Sequence, residues 1–297
     1  MAAKADPAPQ TAADWIRQTL RRFEQAGLHF GHGSLEARDE AIYLLLHTLG
    51  LPLDDLGGVL GKRLSSVEID ALEALLHQRV EGRMPAAYLT HEAWLGDLRF
   101  YVDERAIVPR SYIAELLREE LYPWIADDAK IDHALDLCTG SGCLAILLAL
   151  TFPEARVDAT DLSADALAVA TRNVADYAMK DRIRLMHGDL FDGCEGRYSL
   201  IISNPPYVKR SSMEELPAEY RAEPPMALAG GEDGLDIVRR IIAQSRAHLT
   251  EDGLLVVEIG HNRDALERAF PALPFTWLET SGGDGLVFLL EASDLPR

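Results

Sequence analysis

From residue 131 onward the chain alternates short apolar runs with stretches of helical period, and few folds accept that alternation. "DHALDLC", "CLAILLALTF", "RVDATDL", "DALAVATRNVADYA", "IRLMHGDLF", "SLIISN", "LDIVRRIIAQSRAHL" and "LLVVEIG" follow one another in this way. Strands joined by helices run parallel, in a sheet covered by helices on both faces. The last two runs, "FTWLET" and "LVFLLEA", have only "SGGDG" between them. That is too short for a crossover helix, so these two strands pair antiparallel. The fold class is therefore α/β and Rossmann-like, with ligands expected beyond the carboxyl ends of the strands.

The rest of the chain reads differently. Residues 1–12, rich in Ala and Pro, are expected to form a disordered leader. Residues 13–91 show helical period without strand-like alternation and form a small all-helical domain. In "AADWIRQTLRRFEQAG", Trp15, Ile16, Leu20 and Phe23 share a face and Gly27 stops the helix. A second helix stops at Gly50, and a third opens with Ser65 and Glu68 at capping-box spacing. Residues 92–130 are expected to form a hairpin around Gly96-Asp97 and a linker helix capped by Ser111. Residues 131–297 form the α/β domain.

With 48% apolar and 26% charged residues, the 297-residue chain has the composition of a soluble globular protein. No run approaches the roughly 18 apolar residues of a membrane span, and "MAAKADPAPQTAADW" lacks the apolar segment of a secretory signal. These features give a cytoplasmic expectation and no membrane partner. Cys138, Cys143 and Cys194 are odd in number and lack metal-ligand spacing, so they are expected to be small buried hydrophobes. The net charge of −19 opposes a non-specific grip on nucleic-acid phosphates and suits a basic partner.

"DLCTGSGCLAI" follows the first strand of the α/β domain and opens a helix. Gly140 and Gly142 allow a tight turn and close approach of backbone to ligand. Asp161 ends the next strand, where a carboxylate reaches the ribose hydroxyls of a nucleoside. Asp189, in "HGDLFD", lies where an acid accepts from an adenine amino group. Asp136 either faces the far end of such a ligand or binds loop N–H groups. Ala145 breaks the full dinucleotide pattern G-x-G-x-x-G, which disfavours a nicotinamide oxidoreductase.

"SLIISNPPYVKR" ends its strand on Asn204-Pro205-Pro206-Tyr207. Two prolines offer no N–H to a ladder, so the strand stops there on a stiff turn. The turn fixes two acceptors, the Asn204 side-chain oxygen and the Pro205 carbonyl, beside the Tyr207 ring. A planar –NH2 group needs two such acceptors. The arrangement serves to aim a nitrogen at an electrophile rather than to remove its proton.

"DLCTGSG", Asp161, "GDLF" and "NPPY", in this order, resemble the class I S-adenosylmethionine-dependent methyltransferases that modify a planar nitrogen. DNA adenine N6 methyltransferases share them, but the charge and the lack of a basic recognition module oppose sequence-specific DNA as partner. "HEAWLGDLRFYVDERAIVPRS", "LPAEYRAEPPMALAGGEDGLDIVRRI" and "FTWLETSGGDGLVFLL" extend the resemblance over nearly the whole chain. They are similar to the PrmB branch of the HemK/PrmC-like protein-(glutamine-N5) methyltransferases. That branch acts on large-subunit ribosomal protein L-three. The neighbouring branch acts on peptide-chain release factors and usually carries "PRPDTE" near Pro109. A departure is Tyr112, where the PrmB pattern has a proline.

The resemblance implies a seven-stranded sheet with S-adenosyl-L-methionine as cofactor, and makes the helical domain of residues 13–91 a substrate-recognition domain. Asp136, Thr139, Gly140, Gly142, Asp161 and Leu162 would line the methionine and ribose end, with Asp189 and Leu190 near the adenine. Asn204, Pro205 and Tyr207 would hold the glutamine amide, with Asn204 also bordering the cofactor. Two alternatives remain: the neighbouring branch's N5-glutamine methyltransferase of peptide-chain release factors, acting on their GGQ motif, and a non-catalytic ribosome-assembly factor with a retained cofactor fold, against which an intact "NPPY" stands.

Overall fold

A computed structural model describes residues 9–34, 36–125 and 131–296. The chain divides into two compact units. The first runs to Ala93 and also takes in Pro217–Ala222, a segment far away in sequence. The second comprises Trp94–Leu216 and the chain from Glu223 onward.

The helical unit contains α1 (Ala12–Ala26), α2 (Ala37–Thr48), α3 (Leu56–Val59), α4 (Ser66–Val80) and α5 (Ala86–Thr90). Trp15, Phe23, Leu44, Leu45, Leu72 and Leu76 form its core. Gly27 ends α1 in the left-handed region (φ +57°), and Ser65 and Glu68 close the expected capping box on α4.

The expected leader needs correction at its end. Residues 1–8 lie outside the described residues. Gln10 to Ala12 are tied down: the Leu64 N–H donates to the Gln10 carbonyl, and Thr11 bridges Arg63. Thr11 and Asp14 form a second capping box that starts α1. "TAAD" is thus a helix start inside a stretch whose Ala and Pro content reads as disorder.

Pro217–Ala222 joins the helical unit through charge. The Glu219 carboxylate accepts from the His29 N–H (3.1 Å) and Arg83 Nη1 (3.3 Å), and pairs with Arg79 Nη1 at 3.5 Å. Arg79 Nε also donates to Glu40 Oε1 at 2.6 Å. Arg79, Glu40 and Glu219 are all buried.

In the second unit, β1 (Glu92–Leu95, which begins at the unit boundary) and β2 (Leu98–Tyr101) form the expected hairpin. The short helix α6 (Ile113–Arg118) follows. Tyr112, not Ser111, occupies its cap position, although Ser111 Oγ accepts from the Ile113 N–H at 3.1 Å. The α/β portion alternates β3 (His133–Leu137), α7 (Cys143–Thr151), β4 (Arg156–Asp161), α8 (Ala164–Asp176), β5 (Ile183–His187) and β6 (Tyr198–Ser203). After a short α9 (Arg210–Glu215) come α10 (Asp236–His248), β7 (Leu249–Glu258), α11 (Arg263–Ala269), β8 (Thr276–Thr280) and β9 (Gly283–Glu291).

The seven-stranded sheet has the order β5-β4-β3-β6-β7-β9-β8. β3 to β7 are parallel, and β9 runs antiparallel to both neighbours. Every residue of β6 is buried. Leu200 and Ile202 face one core layer and Ile201 the other, as period two requires of a strand covered on both sides, while Tyr198 joins the layer of Ile201 because the register shifts between Tyr198 and Leu200. Strand order reverses between β3 and β6, which pair in parallel with Leu137 opposite Ser203. The turns after these strands, "CTGSG" and "NPPY", therefore leave the same sheet edge side by side, at the switch point where open α/β sheets bind ligands.

Among the described residues no helix is long and apolar enough to cross a membrane. Cys143 is buried as expected, and burial pushes its thiol up to about 12. Cys138 and Cys194 are only partly buried, which corrects the expectation for those two.

Candidate active site

The turn after β3 alternates its backbone hand. Cys138 (φ +59°), Gly140 (φ +55°) and Gly142 (φ +79°) are left-handed. Gly142 is needed twice over, because a Cβ there would also sit 3.1 Å from the Ala170 Cβ on α8. Asn173 of α8 donates to the Ser141 carbonyl at 2.9 Å and pins the turn.

Asp136 is fully buried. Its Oδ2 accepts from Thr139 Oγ1 at 2.6 Å, while Oδ1 has no partner. Burial, with Asp161 adding its charge, pushes the Asp136 carboxyl up to about 7. Asp161 accepts from the Gly140 N–H and the Ser163 N–H, both at 2.8 Å. Burial raises its pKa as well. These residues form one connected group. Leu162 beside it is exposed, unusual for so large an apolar side chain. Asp189 stands apart: it forms an ion pair with Arg240 of α10 at 2.8 Å. Leu190 is buried, with φ at +56°.

At the end of β6, Asn204 Nδ2 donates to the Arg110 carbonyl at 3.1 Å. A carbonyl only accepts, so the nitrogen must lie on that side and Oδ1 remains as an acceptor. Pro205 is buried. Tyr207 is held at several points. Its hydroxyl donates to Glu258 Oε1 at 3.1 Å, and its carbonyl accepts from Asn262 Nδ2 at 2.8 Å. Its ring lies against Gly260 (φ +52°), where a Cβ would come within 2.8 Å of the ring. Burial and the neighbouring Glu258 charge raise the Tyr207 pKa, so its hydroxyl stays protonated.

Several supporting residues escaped the sequence reading. Glu258 ends the apolar run "LLVVEIG", and burial raises its pKa. An acid closing a buried strand was a usable signal. Asn173 lies in the apolar stripe of α8 with Ala166, Ala170 and Val174, another signal. Arg110 and Glu223, bonded bidentately at 2.6 Å, gave none, since 113 residues separate them.

A ribosomal protein uL3 glutamine methyltransferase of Neisseria meningitidis serogroup B is 56% identical over 96% of this chain and 94% of that protein. This chain belongs to that family. The Burkholderia pseudomallei member is 57% identical over 98% of this chain and 97% of its own length. The PrmC N-terminal domain family matches residues 14–90, and the methyltransferase small domain family matches residues 116–219. Among solved structures, the hMettl16 catalytic domain in complex with MAT2A 3'UTR hairpin 6 shares the fold, with TM-score 0.50 and 16% identity. That likeness covers 78% of this chain and 84% of that one.

As a member of the uL3 glutamine methyltransferase family, the chain is an S-adenosyl-L-methionine-dependent protein-glutamine methyltransferase. The residues present suit that cofactor. The orphaned Asp136 Oδ1 is a buried acceptor without a donor, as an α-ammonium group requires. Both Asp161 oxygens hold backbone N–H groups and retain lone pairs for hydroxyl donors.

Proposed function

We propose that this enzyme methylates the N5 side-chain amide nitrogen of a glutamine in large-subunit ribosomal protein uL3, the L-three protein. The observation that carries the substrate is the 56% identity to a uL3 enzyme over 96% of this chain and 94% of that protein. The chemistry rests on Asn204, whose Oδ1 is the outward acceptor because its nitrogen is committed to Arg110.

An amide nitrogen is a weak nucleophile because its lone pair is delocalised into the carbonyl. The bound cofactor supplies an electrophilic methyl group on a sulfonium that loses its charge on transfer. Asn204 Oδ1 and the Pro205 carbonyl accept the two amide hydrogens and fix the direction of the nitrogen. Tyr207 provides a flat wall, its own hydroxyl tied to Glu258. Asp136 would receive the ammonium of the cofactor, and Asp161 the ribose hydroxyls. Leu162, Thr139, Gly140 and Gly142 would border the same group. Asp189, paired with Arg240, and Leu190 would lie near the adenine. The methylated nitrogen is strongly acidic and gives one proton to bulk water once the transfer is over and the product amide is exposed, while alignment with water excluded during the transfer carries most of the rate.

The partner is a basic protein, in keeping with a net charge of −19. The protein works in the cytoplasm, where such a substrate is made. Incubation with S-adenosyl-L-methionine and either purified uL3 or purified release factors, read by mass spectrometry, tests the reading. One added methyl on a uL3 glutamine is expected; methylation of the release factors instead would overturn it.

A further inference from the structure

Two buried carboxylates, Glu223 and Glu258, converge on one short turn. Glu223 Oε1 accepts from the Val108 N–H at 3.1 Å, and both its oxygens accept from the Arg110 guanidinium. Glu258 Oε2 accepts from Ser111 Oγ at 2.6 Å and from the Tyr112 N–H at 2.9 Å. Residues 108, 110, 111 and 112 are thus bonded to glutamates that are 1% and 2% exposed. Between the two attachments lies the Arg110 carbonyl, the acceptor for Asn204 Nδ2. Glu258 also takes the Tyr207 hydroxyl, so one carboxylate joins the turn to the ring of the "NPPY" segment.

A side-chain amide can present either end. With its oxygen outward, Asn204 receives an –NH2 group; with its nitrogen outward, it repels one. The Arg110 carbonyl, as the acceptor for Nδ2, favours the oxygen-outward orientation. We propose that Glu223 and Glu258 are positioning residues that clamp residues 108–112, and through the Arg110 carbonyl hold Asn204 with its oxygen toward the substrate amide. This rests on the reading of Asn204 as the amide acceptor.

The departure at Tyr112 becomes intelligible in this light. The proline of the PrmB pattern has no N–H, whereas Tyr112 donates one to Glu258. Its φ of −70° suits proline, so the N–H is removable without backbone strain at that residue.

The test uses the full-length enzyme with uL3 as substrate and four single variants: E223Q, E258Q, Y112A and Y112P. Glutamine keeps the shape but loses one acceptor. Alanine at 112 keeps the N–H, and proline removes it. Measured for each are kcat, KM for uL3, S-adenosyl-L-methionine affinity by titration calorimetry, and Tm. For E223Q and E258Q, kcat is expected to fall about tenfold or more, as for loss of a positioned polar contact, with cofactor affinity within twofold of wild type. Y112P should lie about threefold or more below Y112A in kcat, the scale of one weakened hydrogen bond.

Unchanged kcat in E223Q and E258Q would overturn the clamp. So would parallel falls of kcat, cofactor affinity and Tm, which mark general stabilisers. Should E258Q fail to fold, E223Q and the Y112A–Y112P comparison decide. Failure of the wild type to methylate uL3 would instead reject the substrate reading, a distinguishable result.

Discussion

The Gly140 N–H donates to Asp161 Oδ2 over 2.8 Å, joining the turn after β3 to the end of β4 across 21 residues. Asp161 therefore anchors the turn, and in the proposed reading its remaining lone pairs also receive the ribose hydroxyls. Asp161→Ala should weaken S-adenosyl-L-methionine binding by about 1.5–3 kcal/mol, the scale of lost charge-assisted hydrogen bonds. Titration calorimetry checks this, and unchanged affinity would remove Asp161 from the cofactor site.

Asp136 predicts a proton linkage. In the free protein its carboxyl is raised from 3.8 to about 7 by burial. A bound ammonium favours the ionised form, so below pH 7 cofactor binding expels a proton. Affinity should then rise from pH 5 to about 7 and level off above. The stability of the free protein runs the other way. The folded state holds the proton at pH values where the unfolded chain has lost it, so this contribution is full below about pH 4 and is lost as pH rises through 7. Asp136→Asn should raise the Tm of the free protein at pH 8 relative to wild type, leave it similar at pH 4, and abolish the pH dependence of cofactor affinity. A wild-type affinity flat between pH 5 and 7 would contradict the assignment.

Asn204→Ala removes the outward acceptor and leaves the β3 turn intact. Cofactor affinity should stay near normal while turnover falls by roughly two to three orders of magnitude, the scale of one active-site hydrogen-bonding group. Turnover within a few-fold of wild type would show that Asn204 does not orient the amide.

Glu219 sits in the Pro217–Ala222 segment of the helical unit, although the chain on either side of that segment belongs to the other. Glu219→Ala leaves Arg79 buried with Glu40 as its remaining carboxylate partner. The variant takes the acceptor from the His29 N–H and from Arg83 and leaves Arg79 a single carboxylate, and a loss of about 1–3 kcal/mol is expected. Denaturant unfolding measures it, and limited proteolysis should cut near residues 217–222 faster than in wild type. A variant as stable and as resistant as wild type would show that this ion network does not hold the segment.

What the sequence revealed and concealed follows from how far apart partners lie. The glycine turn, the acid at the end of β4 and "NPPY" are written in consecutive residues, so their places at the strand ends were readable. The antiparallel β8–β9 pair was readable because five residues cannot hold a crossover. The joining of Pro217–Ala222 to the helical unit was not, since it depends on Glu219 meeting Arg79 across 140 positions. Glu258 announced itself as an acid at the end of an apolar strand, but its partners Ser111, Tyr112 and Tyr207 come from two distant segments. The Ala- and Pro-rich start concealed the Thr11–Asp14 box because composition averages over the residues that matter.

The last prediction concerns how substrate arrives. A ribosomal protein neutralises RNA phosphates and is therefore basic, whereas this enzyme carries −19. Opposite net charges steer encounter and raise the association rate without lowering the chemical barrier. Mobile ions screen such steering over about 8 Å at physiological ionic strength and over about 3 Å at 1 M. kcat/KM for free uL3 should therefore fall as salt rises, while kcat at saturating uL3 changes little because the amide clamp is local. Steady-state kinetics at two salt concentrations separate the two quantities. An equal fall in kcat would place the salt effect at the active site, and a flat kcat/KM would discard electrostatic capture while leaving the glutamine chemistry intact.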